Sequence, residues 1–253
     1  MRILDSPKVQ VDEASIIEFF EERARKYDSE NNPNVTMLQD GNEAIAVRRS
    51  AVEVEAIRDV VAANGFQRPS TLDIGCGSGR LYFELRDVLG SYTGVDGACT
   101  LIESARNRLA KETRPGDPPA TFLTHALGMH SLCRPDVVRP VQLVIMSGII
   151  AYLNDGSVAS LFLDLMQLTG AGTVLIVREP LGIEHRLTLK EHWSDALSAS
   201  YNAIYRTRKE VEAVVQDAFG ECIADLAFRW LYSDPALNNR VETRQGFFAV
   251  RLR

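Results

Sequence analysis

The sequence predicts an α/β protein in which a mostly parallel sheet carries helices on both faces. Two observations lead there. From residue 71 onward, short β-rich apolar runs alternate with amphipathic helical segments. The run at 141–146 is also nearly all hydrophobic, as a strand covered on both faces must be.

Two helices precede the first strand. Over residues 15–27, Ile16, Ile17, Phe19, Phe20 and Ala24 form an apolar stripe against Glu18, Glu21, Glu22, Arg23 and Arg25, a solvated face. Residues 28–34 are dense in Asn, Asp, Ser and Pro, whose side chains compete for backbone hydrogen bonds, and read as a loop. Over 44–63, Val47, Ala51, Val54, Ile57, Val60 and Val61 recur at helical spacing, with Gly65 as the stop. Strands follow at 71–74, 92–95, 121–124, 141–146 and 173–177, with helices at 79–89, 100–112 and 158–168 between them. A helix at 208–219 leads to strand-like runs at 222–228 and 246–252, whose short connection suits an antiparallel pair. The piece 180–207, rich in His, Trp, Tyr and Arg, fits no simple strand and is expected to be an insertion over a site. The division expected is a helical cap at 1–65 and a main domain at 66–253 that carries the insertion.

Composition narrows the partners. At 253 residues with 45% hydrophobic and 25% charged side chains, wholesale disorder is excluded. A formal charge of −6 disfavours nucleic acid and anionic membrane surfaces, both of which require a positive field. The longest apolar run, 141–153, falls short of the ~18 residues that cross a bilayer. Asp5, Pro7 and Lys8 stand where a signal peptide needs an apolar stretch, so a cytoplasmic location is expected. Cys76, Cys99, Cys133 and Cys222 form no CxxC pair, so no metal site is expected and the thiols read as buried or half-buried.

Chemistry concentrates at residues 72–80, Leu-Asp-Ile-Gly-Cys-Gly-Ser-Gly-Arg. A β-run ends in a glycine-rich turn that opens a helix, so backbone N–H groups and the positive helix end face whatever lies above the strand. The dinucleotide pattern G-x-G-x-x-G would need glycine at 80, where Arg80 stands, so NAD is disfavoured. The second strand ends at Asp96, whose carboxylate is placed to accept both hydroxyls of a ribose.

Residues 73–79 and 94–96 resemble the first two binding motifs of class I S-adenosylmethionine (SAM)-dependent methyltransferases, and 141–153 and 174–179 resemble the family's fourth and fifth strands. The resemblance implies a Rossmann-like, seven-stranded sheet with a terminal antiparallel strand, and SAM as cofactor. It also implies that Gly75, Cys76 and Gly77 approach the methionine portion, that Asp73 holds its amino group, and that Asp96 and Gly97 bind the ribose. His125 and Ala126 would meet the adenine where the family usually has an acid, and Ser147 and Gly148 would border the sulfonium. A narrower resemblance, carried by residues 19–27, 152–155, 178–180 and 201–207, is to bacterial methyltransferases of polysaccharide and natural-product pathways. It implies a small-molecule or sugar acceptor, in a monomer or homodimer.

Methyl transfer from a sulfonium is an in-line displacement, so positioning supplies most of the catalysis, and a base matters when the acceptor must lose a proton. His185, His192, Tyr152 and Glu179 are the candidate catalytic residues, and Tyr27, Tyr201, Tyr205 and Arg178 the candidate acceptor contacts. His185 and His192, seven apart, share a face if their segment is helical. His125 and His130 also read as ordinary satisfied histidines, and Trp193, Tyr201 and Tyr205 as packing aromatics. Arg178, Arg186 and Arg206 are placed to meet a phosphate or carboxylate on the acceptor, or an internal acid. Two other functions stay open: a catalytically silent SAM-binding or interaction protein, and an NAD-dependent oxidoreductase.

Overall fold

A computed structural model describes residues 1–6, 9–37, 42–127, 131–133, 141–195, 197–238 and 240–253. His130 lies outside them. The chain runs β1 (Arg2–Leu4), α1 (Glu13–Lys26), α2 (Glu43–Ala63), β2 (Ser70–Ile74), α3 (Arg80–Leu85), β3 (Ser91–Asp96), α4 (Cys99–Glu112) and β4 (Ala120–Thr124). It continues through β5 (Leu143–Ser147), α5 (Asp155–Leu168), β6 (Val174–Gly182), β7 (Leu187–Ser194), β8 (Ala199–Tyr205), α6 (Arg208–Phe219), β9 (Ile223–Trp230) and β10 (Thr243–Leu252).

Seven strands form one sheet in the order β4-β3-β2-β5-β6-β10-β9. The pairs among the first five are parallel, while β10 lies antiparallel to both β6 and β9. This is the Rossmann-like α/β sheet with a terminal antiparallel strand that the motifs imply. Alternate residues of β5 explain its hydrophobic run. Val144 and Met146 join the core under α5 and α6, while Leu143 and Ile145 join the core under α2, α3 and α4. With no face of β5 open to water, no period of two survives in its sequence.

Helices α1, α2 and α6 start where side chains satisfy their first amides. Asp12 accepts from the N–H groups of Ala14 and Ser15, Asn42 from that of Ile45, and Thr207 with Glu210 forms a reciprocal capping box.

Two helical faces depart from expectation. In α2, Val47 is exposed, and the buried face is Ala46, Arg49, Ser50, Glu53, Ala56, Ile57 and Val61. Three of these seven are polar because that part of the face backs the cavity described below. In α1, Arg23 is buried and donates to the Val35 carbonyl at 2.9 Å, and the Glu21 carboxylate accepts from the Thr100 N–H at the start of α4. Glu21 thereby fastens α1 to the sheet domain, while Arg23 ties α1 to the loop that follows it.

The segment 180–207 is β-structure. β7 and β8 form an antiparallel pair, and β1 adds to β7 as a third strand. Leu187, Thr188 and Leu189 are buried in succession, and the register shifts between Leu189 and His192, where Glu191 has φ 46°. A bulge that restarts the alternation hides such a strand from periodicity. Of the thiols, Cys99 and Cys222 are exposed, against expectation. Among the described residues no helix is long and apolar enough to cross a membrane.

Candidate functional site

The parallel register pairs Ile74 of β2 with Val95 of β3, so the two strands end side by side. The chain leaving β2 stays close, because the N–H groups of Gly75 and Cys76 both donate to the Val95 carbonyl, at 2.8 and 3.0 Å. Gly75 and Gly77 take φ values of 74° and 55°, a region costly for residues with a Cβ. A Cβ on Gly75 would come within 3.0 Å of the Ile149 side chain. The turn is therefore bare backbone, and it floors a cavity that encloses about 150 Å³.

Two acids flank the turn. Asp96, at the end of β3, accepts from the Gly77 N–H on Oδ2 and from the Ala98 N–H on Oδ1, each at 2.9 Å. Burial raises its pKa, and those two amides pull it back. Asp73 is 1% exposed; its Oδ2 accepts from the Tyr92 hydroxyl at 2.5 Å, and its buried Oδ1 has no partner. Burial pushes the Asp73 carboxyl up to about 7. A buried, partnerless oxygen beside a bare backbone floor fits a ligand that brings a cation, as the SAM ammonium does.

The cover comes from the N-terminal region. Ile16, Ile17 and Phe20 of α1 line the cavity, as do Pro33, Thr36 and Met37 from the following loop. A Cβ on Gly97 would stand 3.2 Å from the Ile17 side chain, so α1 rests on the end of β3. That lid is latched at its start. Glu13 accepts from the Asn154 N–H and the Ser157 hydroxyl, and Val11 and Asn154 exchange a pair of hydrogen bonds.

Away from the turn the cavity is polar and basic. Glu53 of α2, fully buried, pairs with Arg80 at 2.7 Å and Arg178 at 3.5 Å, and accepts from the Ser147 hydroxyl. Burial raises its pKa, and the two arginines and the hydroxyl outweigh that and leave it below the ordinary value. Tyr152, Tyr205 and Arg240 also line this part. Burial is the main cause that holds the Tyr152 and Tyr205 phenols above their usual range.

Of the residues singled out in the sequence, Asp73, Gly75, Cys76, Asp96, Gly97, Ser147, Gly148, Tyr152, Arg178 and Tyr205 line this one cavity. Gly77 supports it through Asp96. The others lie elsewhere. His185 sits in the exposed turn between β6 and β7, paired with Asp5 at 2.8 Å. His192 is on β7 outside the cavity, its ring 6.3 Å from that of Tyr201. The segment being a bulged strand, the two histidines share no helical face. Glu179 does not reach the cavity: its carboxylate accepts from the N–H groups of Ile149, Ile150 and Ala151, which fixes the loop after β5.

Tyr27 packs under the Arg23 guanidinium, 5.1 Å from its ring centre. Tyr201 stands behind Tyr205, hydroxyl to hydroxyl at 3.2 Å. His125 is buried off the cavity and its backbone N–H donates to the Asp96 carbonyl, with Ala126 next to it, while Leu127 is the residue of this stretch that lines the wall. Arg186 and Arg206 are held by Asp155, with Glu210 and backbone carbonyls as further partners.

Sequence reasoning missed Glu53, Thr36, Leu127, Arg240 and Gln245. Glu53 alone left a signal, since it falls at helical spacing with Ala46, Ser50 and Ile57.

Comparison with known proteins agrees with this geometry. Residues 68–114, the cradle and its second acid, match a family model described as a methyltransferase domain. The fold is that of the SAM-dependent methyltransferases. A SAM-dependent methyltransferase from Leishmania major superposes with a TM-score of 0.67 at 14% identity, covering 94% of this chain and 82% of that one. Magnesium protoporphyrin IX methyltransferase from Synechocystis PCC 6803, with bound SAM, gives 0.61 at 16%, covering 96% and 99%. Phosphoethanolamine N-methyltransferase 1 of Haemonchus contortus, with phosphoethanolamine and S-adenosylhomocysteine (SAH), gives 0.63 at 16%, covering 95% of this chain and 49% of that one. No curated protein matches the chain in sequence.

Proposed function

We propose that the protein is a SAM-dependent methyltransferase that methylates an oxygen or nitrogen of a small molecule, such as a sugar or natural-product intermediate. One observation carries this reading. The backbone floor, the partnerless Asp73 oxygen, the Asp96 carboxylate and a separate basic, phenol-lined compartment open into a single cavity. SAM, when bound, supplies a methyl group made electrophilic by the sulfonium. Asp73 holds the ammonium, Asp96 the ribose hydroxyls, and Ile17, Ala98 and Leu127 give the adenine an apolar slot. Ser147 and Gly148 border the compartment in which the acceptor lies.

The lining favours nitrogen. Among the described residues no histidine faces the cavity, and the Tyr152 and Tyr205 phenols stay protonated near neutral pH. An amine that arrives neutral needs no base, only a position in line with the methyl group. The neighbours named for phosphoethanolamine and glycopeptide N-methylation are consistent with this reading.

Calorimetric titration with SAH and with NAD, followed by turnover of labelled SAM on panels of amines and alcohols, tests it. SAH is expected to bind and NAD not. Tighter NAD binding would reverse the assignment, and SAH binding with no turnover on any acceptor would leave a donor-binding protein.

A further inference from the structure

We propose that the acceptor carries an anionic group, a carboxylate or phosphate, which Arg178 and Arg240 bind inside the cavity. The proposal rests on the methyltransferase reading and gives its acceptor a chemical class.

The charges in this compartment are unbalanced. Arg178, 9% exposed, meets Glu53 at 3.5 Å, but the same carboxylate is already held by Arg80 at 2.7 Å, and the Glu179 carboxyl, which also acts on Arg178, is taken up by the amides of Ile149, Ile150 and Ala151. The Arg178 Nε is buried and has no hydrogen-bond partner, and its Nη1 would be only 3.1 Å from a Cβ on Gly148. The guanidinium therefore lies against the loop after β5, where a reacting group would pass. Arg240 lines the same cavity and donates to the Tyr201 and Tyr205 hydroxyls, neutral acceptors, and the carboxylate that acts on it, Glu242, is itself paired with Arg2. Arg186 and Arg206, by contrast, share the Asp155 carboxylate.

A buried guanidinium without a full counter-charge is costly, and a ligand oxyanion with two or three acceptor oxygens removes that cost. The remaining groups fit the same ligand. Tyr152 and Tyr205 stay protonated and offer O–H donors, and the Tyr205 hydroxyl feels both Tyr201 and Arg240. The whole chain is acidic, at −6, so an anion is drawn to this compartment by local charge and not by the field of the molecule.

Calorimetry on the SAH-loaded protein decides the matter with three probes that share one amine: glucosamine, glucosamine 6-phosphate and glucosaminate, with inorganic phosphate as a fourth. At least one anionic sugar is expected to bind roughly tenfold or more tightly than glucosamine, the effect of one charge-assisted hydrogen bond. Whether the phosphate or the carboxylate wins identifies the oxyanion. Arg240→Gln is expected to bring the ratio below about threefold, and Arg178→Lys, which keeps the charge but loses the fork, to lower it in part. SAH affinity is read for each variant, which separates loss of anion preference from damage to the cradle. Equal binding of glucosamine and both anionic sugars, or failure of all the anionic probes, overturns the proposal while the methyltransferase reading stands. Failure of SAH itself to bind overturns both.

Discussion

At the donor end of the cavity, the polar groups come from residues 73–98, a single strand-turn-helix-strand passage, and most are backbone amides or carboxylates held by them. The far end is assembled from α2, the loop after β5, the end of β6, Tyr205 of β8 and Arg240, pieces far apart in sequence and tied through buried ion pairs. The polar groups of the first end are thus fixed mostly by contacts within that passage. The second depends on the whole fold, and its contacts decide which acceptor enters. One end is expected to be set by the donor, the other by the substrate.

The sharpest way to break this contrast is to remove the hub of the far end. Glu53→Gln leaves Arg80 and Arg178 buried with their shared counter-charge gone, and is expected to cost about 3 to 5 kcal/mol of stability. Urea unfolding measures it. A loss under about 1 kcal/mol would mean that the arginines already have water or other partners, and that the far end is as self-contained as the cradle.

A smaller loss is expected at the donor end. On the proposed donor pose, Asp96→Ala removes a charge-assisted partner of the ribose and should weaken SAH binding by about 1.5 to 3 kcal/mol. An unchanged dissociation constant would take Asp96 out of the site and leave Asp73 as the sole acid of the cradle.

Folding and donor binding are expected to respond to pH in opposite directions. Asp73 titrates at about 7 in the folded chain against an ordinary value of 3.8, and Glu179 at about 7 against 4.5, both through burial. Below the ordinary values each group is protonated whether the chain is folded or not. Between there and about pH 7 the folded chain retains on these two groups protons that the unfolded chain has released, so their contribution to stability falls as pH rises, and it levels off above 7. Donor binding is expected to have the opposite sign, because in the proposed pose the ammonium pairs with the ionised Asp73. SAH is therefore expected to bind more tightly at about pH 8 than at about pH 6, with proton release at the lower pH. Melting curves across this range, and calorimetry in buffers of different ionisation enthalpy, read the two effects. In Asp73→Asn the Asp73 part of both should vanish.

The same contrast governs what the sequence discloses. Gly75, Gly77, Asp73 and Asp96 are legible because a strand that ends in a glycine turn, and an acid at the next strand end, are local patterns with a direct chemical reading. The parallel sheet is legible through alternation and the doubly buried β5. The far end is not. Glu53 reads as one more charge on a helix until its partners on α3, β5 and β6 are known, and Arg240 carries no pattern at all. β7 fails for another reason: its bulge breaks the period that would have marked it.

The smallest effect is expected where sequence reasoning placed its catalytic histidines. His185 is over half exposed, and its partner Asp5 likewise, so their pair is worth ~0 to 1 kcal/mol at most. His192 stands on β7 outside the cavity, behind Tyr201. His185→Ala and His192→Ala are each expected to change turnover by less than about twofold, since neither side chain has a path to the reacting atoms other than through groups already held by other contacts. The comparison that gives these variants meaning is Tyr205→Phe, which deletes a hydroxyl on the cavity wall that is bonded to Tyr201 and Arg240. It should raise the Michaelis constant for the acceptor more than it lowers turnover, because a positioning donor is lost and no proton-transfer step is. A tenfold drop in turnover with His192→Ala, or none in either constant with Tyr205→Phe, would shift the acceptor's place from the compartment beside Gly148 to the outer face of the β7–β8 hairpin.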